Sequence, residues 1–339
     1  MDSSSDKFMD GVSIIICCYN SADRLEPTLR HIARQKLDHK YGLEVLVIDN
    51  NSNDDTASVA WSIWNDQKSS IPFSVLSEKT PGLMAARLCG IENSKYKYII
   101  FSDDDNSLCE DYTKVVYEIL EKYRDVGILN GDSFESVSDT FSLPYWWEDF
   151  KKGFAVGRQG TKEGYAAKDR YFFWGAGISF RKSALVELFS SGFDYKLSGR
   201  KGNLLTAGED GELCLGLQLK GYKLYYSPRL FLQHHIPEDR INEDYLIRQH
   251  RGFGATSMIA SIYKRVLKQK KNVWLVTLFF FCFRWVKTFI NPKLMLNKRS
   301  RTVRRVRLVS LLESVKVVWQ TGRMQYYDIA KEISALRKG

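Results

Sequence analysis

Three consecutive aspartates, Asp103-Asp104-Asp105, are the residues of this sequence best suited to chemistry. They come directly after the apolar segment Tyr98–Phe101. Adjacent carboxylates repel one another unless a cation neutralises them, and hard divalent cations commonly link protein carboxylates to substrate phosphates. The run therefore predicts a Mg²⁺ or Mn²⁺ diphosphate site. The alternative, capping of the next helix by these aspartates, is weaker because the run stops several residues before that helix.

A second acidic group, Glu209-Asp210-Gly211-Glu212, opens a predicted helix over 212–219. Acidic residues in a first helical turn complement the helix dipole, so a structural role is open. A carboxylate held near a metal-bound leaving group can instead act as a general base that deprotonates an acceptor hydroxyl. Both interpretations fit the residue types.

Two further clusters carry polar side chains suited to binding. His234 and His235 follow the apolar segment 230–232, and a neutral imidazole can be a metal ligand; the sequence does not say which of the two would bind. Asp49-Asn50-Asn51 follows the apolar segment 43–48. Its residues suit a turn and a helix N-cap, and an aspartate in this place can also hold the base or ribose of a nucleotide.

The first 250 residues alternate between strand-like and helix-like segments. The near-continuous apolar run at 12–18 is typical of a parallel strand buried on both faces, and 21–35 carries apolar residues at helical spacing. The alternation continues with strands at 43–48, 73–76, 98–101 and 126–129 and helices at 53–64, 82–93 and 112–123. The pattern predicts an α/β fold with a mostly parallel sheet, in which ligands bind at the carboxyl ends of the strands.

The charge is concentrated at one end of the chain. Residues 251–339 hold 20 Lys and Arg and 3 Asp and Glu, a net charge of +17, whereas the first 250 residues hold 30 and 37, a net charge of −7. The basic part also contains the apolar run 273–283, too short to span a bilayer, which needs roughly 20 residues. We interpret it as a helix lying in a membrane interface and attracted to anionic lipid. A buried core helix is the alternative, and no recognition motif supports nucleic-acid binding.

Composition and termini give a domain layout and a compartment. We expect a polar N-terminal tail over 1–11, a catalytic domain over 12–245 and a basic, helical, membrane-associating region over 246–339. The six cysteines show no CxxC spacing, which favours a reducing compartment. Because the first residues lack the pattern of a secretory signal, we expect a cytoplasmic protein, peripheral at the cytoplasmic face of the cell membrane. The aromatic and glycine-rich segment 141–171 suggests either a mobile loop over the ligands or an insertion packed by its own aromatic residues.

Together these clusters resemble glycosyltransferase family 2, the inverting transferases that have the nucleotide-diphospho-sugar fold called GT-A. The resemblance covers roughly residues 10–240. The segments that carry it stand in this order: VSIIICCYN (12–20), VLVIDNNSNDDT (45–56), EKTPGLMAARLCGI (78–91), YIIFSDDDN (98–106), WGAGISFRKSAL (174–185), GEDGELCLGLQLKGYKLYYSP (208–228) and HHIP (234–237).

The resemblance implies a Rossmann-like GT-A sheet flanked by helices and a role for each matching residue. Asp105 corresponds to the direct metal ligand and Asp103 to a nucleotide or metal ligand. One of His234 and His235 remains a candidate for a further metal ligand on the residue types alone. Asp210 corresponds to the catalytic base and Glu209 to an acceptor or structural partner. The implied nucleotide-sugar-binding residues are Tyr19, Asn20, Asp49, Asn51, Arg87, Asp103, Asp104, Gly175, Ala176 and Gly177.

The implied reaction moves one sugar, with inversion, from a nucleotide-diphospho-sugar to a hydroxyl. A UDP-sugar is the favoured donor and a GDP-sugar the second choice, with Mn²⁺ or Mg²⁺ as the metal. No clear QxxRW-like segment follows Glu209-Asp210, which argues for single-sugar transfer, and Asn106 stands where the family often has an acidic residue. The basic, apolar C-terminal part suggests a lipid-linked saccharide acceptor in polysaccharide biosynthesis. A protein-bound glycan is the alternative acceptor, and a non-catalytic carbohydrate- or membrane-binding module is the alternative function. The sequence leaves the oligomeric state open.

Overall fold

The computed structural model describes residues 8–197 and 208–337. Residues 1–7 of the predicted N-terminal tail and Ala207, which precedes the second acidic group, lie outside the described residues. The chain divides into two compact units. The first comprises residues up to 136, 155–190 and 221–235, and the second comprises 137–154, 191–220 and 236–339. The predicted domain division at residue 245 stays a prediction.

The first unit contains one mixed sheet. Its strands are β1 (Met9–Cys18), β2 (Gly42–Asp49), β3 (Phe73–Ser77), β4 (Tyr96–Asp103), β5 (Asn106–Leu108), β6 (Val126–Ser136), β7 (Gly164–Tyr165), β8 (Ser179–Arg181) and β9 (Lys223–His235). Their order is β3-β2-β1-β4-β8-β6-β9-β5, with β7 also paired to β9. Strands β1–β4 are parallel, as are β6 and β9, while β5, β7 and β8 run antiparallel to their partners.

The helices of the first unit are α1 (Leu25–Ile32), α2 (Thr56–Gln67), α3 (Leu83–Asn93), α4 (Tyr112–Lys122) and α6 (Lys182–Ser190); α5 belongs to the second unit. The side chains of Ile14 and Ile16 in β1 are fully buried and pack with Leu25 and Leu29 of α1. The apolar runs read from the sequence form the buried parallel strands because both of their faces are covered. The predicted α/β class with a mostly parallel sheet and flanking helices is confirmed.

Strand β9 differs from its prediction. The sequence suggests separate segments at 224–226 and 230–232, whereas β9 runs without a break from Lys223 to His235. Its pairing with β6 shifts register between Asn130 and Asp132, so Pro228 and Arg229 fit where the ladder is interrupted. His234 and His235 therefore end a strand instead of following one, and the sheet fixes their backbone.

The second unit is helical in its described part. Its helices are α5 (Trp147–Phe150), α7 (Glu209–Leu219), α8 (Glu243–Leu267), α9 (Trp274–Phe289) and α10 (Lys298–Ala335), which is kinked at Gly322. Helices α8 and α10 approach closely at Gly254, where an added Cβ would lie 2.1 Å from the carbonyl oxygen of Ser310. The indole Nε1 of Trp274 donates to the carbonyl of Val318 at 2.9 Å and joins α9 to α10. The predicted C-terminal helical extension is present.

The aromatic segment beginning at residue 141 is ordered by packing within the second unit. Trp146 and Trp147 are buried, the ring of Phe150 meets His250 edge to face at 5.0 Å, and Phe154 stacks on Tyr245. Within the segment, the rings of Trp146 and Trp147 also pack on Phe154. These last contacts support the expectation of a segment packed by its own aromatic residues over residues 146–154.

Helix α9 leaves much of its apolar surface uncovered. Phe279 and Phe283 are 66% and 67% exposed, whereas Leu278 and Phe281 on the other side are buried. Among the residues that the structure describes, no helix is both long enough and apolar enough to cross a membrane.

Candidate functional site

The candidate donor site lies where β1, β2 and β4 end side by side. Cys18 of β1 is in register with Asp49 of β2, and Cys17 is in register with Asp103 of β4. The backbone ladder therefore brings the predicted nucleotide-binding residue Asp49 and the start of the aspartate run to one edge of the sheet, where parallel α/β sheets bind their ligands.

Asp104 is held by residues of the loop that follows β1. Its Oδ2 accepts hydrogen bonds from Nη2 of Arg24 at 2.6 Å and from Oγ of Ser21. Burial raises the pKa of Asp104, as does the charge of Asp105, while the Arg24 guanidinium opposes the rise. Sequence reasoning did not select Ser21 or Arg24. The available signal was Arg24 itself, a basic residue in the loop that follows an apolar strand.

Asp105 meets one of the two histidines. Its Oδ1 lies 3.4 Å from Nε2 of His234 and accepts a hydrogen bond from the side-chain amide of Asn106 at 3.0 Å. The backbone carbonyl of Asp105 accepts the N–H of His235 at 2.8 Å. The His235 ring instead contacts Oγ of Ser107 at 2.8 Å, and burial lowers the pKa of His235. The structure thus brings the His234 imidazole to the carboxylate predicted to bind metal, while the His235 ring contacts Ser107.

The pair of Asp105 and His234 fits a metal that is shared with a substrate. No group of three or more His, Cys, Asp or Glu suited to a metal ion occurs within residues 8–197 and 208–337. A complete protein cage is unnecessary for Mg²⁺ or its analogues, which are usually bound through one or two protein groups plus substrate phosphates. One carboxylate and one imidazole at a strand-end edge are a suitable partial donor set.

The loops after β1 and β2 are fastened to each other. Asn20, in the left-handed region with a φ of 49°, donates its backbone N–H to Oγ of Ser52, and its side-chain oxygen accepts the N–H of Asn53 at 2.8 Å. Oδ1 of Asp49 accepts the N–H of Ser52 at 3.2 Å. These contacts give Asn20 a loop-fixing position and keep Asp49 at the strand end.

Buried Asn50, which the sequence prediction passed over in favour of Asn51, makes the larger set of contacts. Its Nδ2 donates to the carbonyl oxygens of Glu78 and Thr80, and its Oδ1 accepts the N–H of Gly82. Asn51 itself is exposed, with a φ of 58°. The sequence could not predict which of these two asparagines is buried and which is exposed.

Tyr19 and Arg87 occupy different environments at this edge. Tyr19 is exposed, and its carbonyl accepts a hydrogen bond from Arg24 at 2.9 Å. Arg87 of α3 is buried, with its guanidinium 5.1 Å from the centroid of the Phe101 ring. A buried arginine over an aromatic face is a fixed positive charge, consistent with the predicted basic residue near a donor.

The segment Gly175-Ala176-Gly177 precedes β8 as a tight turn, in which the N–H of Ile178 donates to the carbonyl of Gly175 at 3.0 Å. All three residues are buried. Gly177 has a φ of +69°, which favours glycine.

Glu209 and Asp210 lie in the second unit, in the first turn of α7. The helix begins three residues earlier than the sequence predicts, so both belong to it instead of preceding it. Glu209 is buried and its carboxylate accepts the N–H of Gly208 at 2.8 Å, whereas Asp210 is partly exposed. These positions suit a structural role for Glu209 and a proton-transfer role for Asp210.

Glu212 is a buried carboxylate for which the sequence predicts no role apart from that of the acidic group 209–212. Its oxygens accept the backbone N–H groups of Lys196 and Leu197 at 3.0–3.1 Å and the hydroxyl of Tyr263 at 3.0 Å. Burial raises the pKa of Glu212 to about 7, although these three donors and the Lys196 ammonium oppose the rise. The carboxylate ties α7 to α8 and to the chain just before residue 198.

Comparison with known families decides the identity of this chain. Residues 13–189, slightly more than half of the chain, match the model of glycosyl transferase family 2. The chain belongs to glycosyl transferase family 2. The predicted family and the predicted enzyme class, a glycosyltransferase, are confirmed.

Over part of its length, this chain is similar to several named proteins. It is 33% identical over 106 residues to the cholesterol galactosyltransferase of Borreliella burgdorferi, which is 31% of this chain and 28% of that one. It is 25% identical over 250 residues to the succinoglycan biosynthesis protein ExoM of Rhizobium meliloti, 72% of this chain and 73% of that one. It is 33% identical over 98 residues to the Escherichia coli UDP-Glc:alpha-D-GlcNAc-diphosphoundecaprenol beta-1,3-glucosyltransferase WfaP, 29% and 36% of the two chains. The match therefore spans only about a third of two of these relatives.

Two solved structures share the fold. The mannosyltransferase PcManGT of Pyrobaculum calidifontis, in complex with GDP-Man and Mn²⁺, aligns with a TM-score of 0.56 and 16% identity over 93% of this chain and 89% of that one. S. aureus TarS 1-349 in complex with UDP aligns with a TM-score of 0.51 and 12% identity over 92% of both chains. At these identities the likeness establishes the GT-A fold alone.

Proposed function

We propose that this family 2 glycosyltransferase is a metal-dependent, inverting enzyme that transfers one sugar from a nucleotide-diphospho-sugar to a hydroxyl of a lipid-linked saccharide. The observation that carries the proposal is the grouping of Asp49, Asp103, Asp105 and His234 at one edge of the sheet. Carboxylates and an imidazole beside converging strand ends suit a nucleotide diphosphate and its cation.

In this proposal the residues of the first unit bind the donor. Asp49 holds the nucleoside, and Asp105 and His234 hold Mn²⁺ or Mg²⁺. The bound metal would neutralise charge on the departing diphosphate. Arg24 keeps Asp104 turned toward the loop after β1, which leaves Asp105 as the carboxylate for the cation. A UDP-sugar is the favoured donor, since WfaP is named for UDP-Glc and TarS 1-349 was solved with UDP; PcManGT was solved with GDP-Man.

Asp210 is the proposed base. It takes the proton of the acceptor hydroxyl, whose oxygen attacks the anomeric carbon on the face opposite the departing diphosphate, so the configuration inverts. Buried Glu209, bonded to the helix start at Gly208, orients this first turn of α7. Transfer of a single sugar is consistent with the lack of a QxxRW-like segment after Asp210.

Donor turnover is tested by measuring nucleotide-diphosphate release from UDP-, GDP- and dTDP-sugars with Mn²⁺, with Mg²⁺ and with EDTA. We expect metal-dependent release of nucleotide diphosphate from one of the donors. Without an acceptor the release should be slow, because water then takes the place of the acceptor hydroxyl. Asp210→Asn should lose this release, and Asp239→Asn, an exposed aspartate outside the proposed site, should keep it. Absence of release together with absence of nucleotide binding by calorimetry would overturn the proposed function.

The lipid-linked acceptor is supported by the exposed face of α9 and the turn that follows it. Phe279, Phe283 and Leu296 are 66%, 67% and 78% exposed, beside exposed Arg284 and Lys287. Large apolar side chains next to cations complement the acyl boundary and headgroups of an anionic bilayer. Two relatives are named for lipid acceptors, cholesterol and diphosphoundecaprenol. We propose that the enzyme is peripheral at the cytoplasmic face of the cell membrane.

Membrane binding is tested by sedimentation with vesicles of phosphatidylglycerol and phosphatidylcholine. The double variant Phe279→Ser/Phe283→Ser should pellet less than the wild type, and Phe134→Ser, which removes an exposed phenylalanine of the first unit, should pellet equally. Equal pelleting of all three proteins would exclude this face as the membrane contact. Concentration-dependent self-association lost in the double variant, without vesicle binding by the wild type, would assign the face to a second copy of the chain.

A further inference from the structure

A buried asparagine, Asn130 of β6, holds the backbone on the N-terminal side of β8. Its Nδ2 donates to the carbonyl oxygen of Trp174 at 2.9 Å and to that of Ala176 at 3.2 Å. Its Oδ1 accepts the N–H of Gly131 at 2.7 Å. Both amide protons and the amide oxygen are thus used, which fixes the orientation of the amide.

Two other buried side chains complete the support. The hydroxyl of Tyr112 donates to the carbonyl of Gly177 at 2.6 Å, and burial raises the pKa of Tyr112 well above its usual range, so the donor proton is retained. Oε1 of Gln159 accepts the N–H of Trp174 at 3.0 Å, and its Nε2 donates to the carbonyl of Gly131 at 3.1 Å. Side chains from three distant parts of the first unit therefore hold residues 174–177.

The contact made by the Tyr112 hydroxyl requires a glycine at position 177. An added Cβ at Gly177 would lie 2.5 Å from the hydroxyl oxygen of Tyr112, so the hydroxyl and the backbone fit only when this position has no side chain. Asn130 stands where the pairing of β6 with β9 shifts register. Because the buried polar atoms of these three side chains are hydrogen-bonded, removing one of them would leave a buried backbone group without its partner, so the side chains fix the position of this backbone segment.

We propose that Asn130 is a positioning residue for the donor sugar, which sets the backbone of Gly175-Ala176-Gly177 through the carbonyls of Trp174 and Ala176. The inference rests on the proposed function. Strand β8 runs antiparallel to β4, and the N–H of Phe101 donates to the carbonyl of Ile178 at 2.9 Å, so the segment just before β8 lies beside the end of β4, where the aspartate run of the proposed donor site begins. Asp49, the proposed nucleoside-binding residue, ends β2, which β1 and β4 separate from β8 in the sheet. Loss of the asparagine should therefore weaken recognition of the sugar and spare recognition of the nucleotide.

The experiment compares binding of UDP with binding of UDP-N-acetylglucosamine, and of GDP with GDP-mannose, by calorimetry in the presence of Mn²⁺. The variants are Asn130→Ala, Asn130→Asp, which turns an acceptor toward two carbonyl oxygens, and the milder Tyr112→Phe. Ser13→Ala is the matched control, because it removes another buried hydrogen bond, from Oγ of Ser13 to Glu44. For the nucleotide pair that the wild type binds, we expect nucleotide affinity within about twofold and nucleotide-sugar affinity reduced about tenfold for Asn130→Ala.

Hydrogen exchange of the amides of residues 174–178 keeps the test independent of the proposed function. Faster exchange in Asn130→Ala and Tyr112→Phe, but not in Ser13→Ala, supports the positioning role even if the wild type binds none of the four nucleotides, a result that would overturn the proposed function alone. Unchanged exchange in these variants would overturn the inference. Equal loss of nucleotide and nucleotide-sugar affinity would do so too, because it would mark Asn130 as a general stability residue.

Discussion

Glu212 makes the stability of the second unit depend on pH in a direction opposite to that of most carboxylates. The side chain is fully buried, and its pKa in the folded chain is about 7 against an ordinary 4.5. Between these two values the folded chain carries a proton on Glu212 and the unfolded chain does not. Folding therefore takes up a proton, and the free energy of unfolding falls as the pH rises through this window.

The size of the effect follows from the two pKa values. A folded pKa of about 7 and an unfolded pKa of 4.5 differ by an amount equivalent to about 3 kcal/mol. The cost is absent below the unfolded value and fully present above the folded one. Between about pH 5.5 and pH 8, Glu212 should lower the free energy of unfolding by about 2 kcal/mol.

Urea unfolding followed by tryptophan fluorescence at a series of pH values measures this change. Glu212→Gln cannot ionise and keeps nearly the same volume, so its stability should lack this decline. The difference in stability between wild type and variant should then shift by about 2 kcal/mol across the window, in favour of the variant at the higher pH. Glu238→Gln, at an exposed position, is the control and should track the wild type.

Parallel pH profiles for wild type and Glu212→Gln would refute the reasoning. They would mean that the N–H groups of Lys196 and Leu197, with the Tyr263 hydroxyl, fully compensate the loss of water around the carboxylate. A steeper loss of stability in the variant at high pH than in the wild type would reverse the sign and exclude a raised pKa.

Two further predictions concern the first unit. Gly177→Ala should lower the free energy of unfolding by about 2 kcal/mol or more in urea titrations, because the new Cβ meets Tyr112 at a φ of +69°. Gly221→Ala, at a φ of +94° with open space around it, should cost less, and equal costs would show that the contact with Tyr112 contributes nothing. Asp105→Asn should abolish metal-stimulated nucleotide-diphosphate release and weaken Mn²⁺ binding in calorimetry; unchanged Mn²⁺ affinity would exclude Asp105 as a ligand.

The strands of the first unit could be predicted from the sequence because their cause is local. Runs such as 12–18 and 98–101 are apolar on both faces, and burial on both faces is what a central parallel strand requires. The polar residues just beyond them mark the strand ends, which is why Asp49 and Asp103 could be assigned to one edge. The continuous β9 was missed because a proline and a charged residue interrupt its apolar pattern, and only its pairing with β6 bridges the interruption.

The supporting residues could not be predicted, because their roles depend on partners remote in the sequence. Arg24 meets Asp104 across 80 positions, Asn130 meets Ala176 across 46, and Glu212 meets Tyr263 across 51. Local secondary-structure preferences carry no information about contacts between residues so far apart in the sequence. The exposed face of α9 is a similar case, since its composition predicts an apolar helix but only the packing of α10 decides which side remains uncovered.

The aspartate run shows that residue type alone does not predict the role of each residue. Its three members are chemically identical and adjacent, and the sequence can treat them only as a group. In the fold, the backbone N–H of Asp103 bonds to Asn106, Asp104 is bound by Arg24 and Ser21, and Asp105 meets His234. Arg24 donates to the carboxylate of Asp104, whereas the carboxylate of Asp105 faces the imidazole of His234 and the amide of Asn106. The environment, not the motif, thus separates Asp104, which supports the loop after β1, from Asp105, which we propose as the metal ligand.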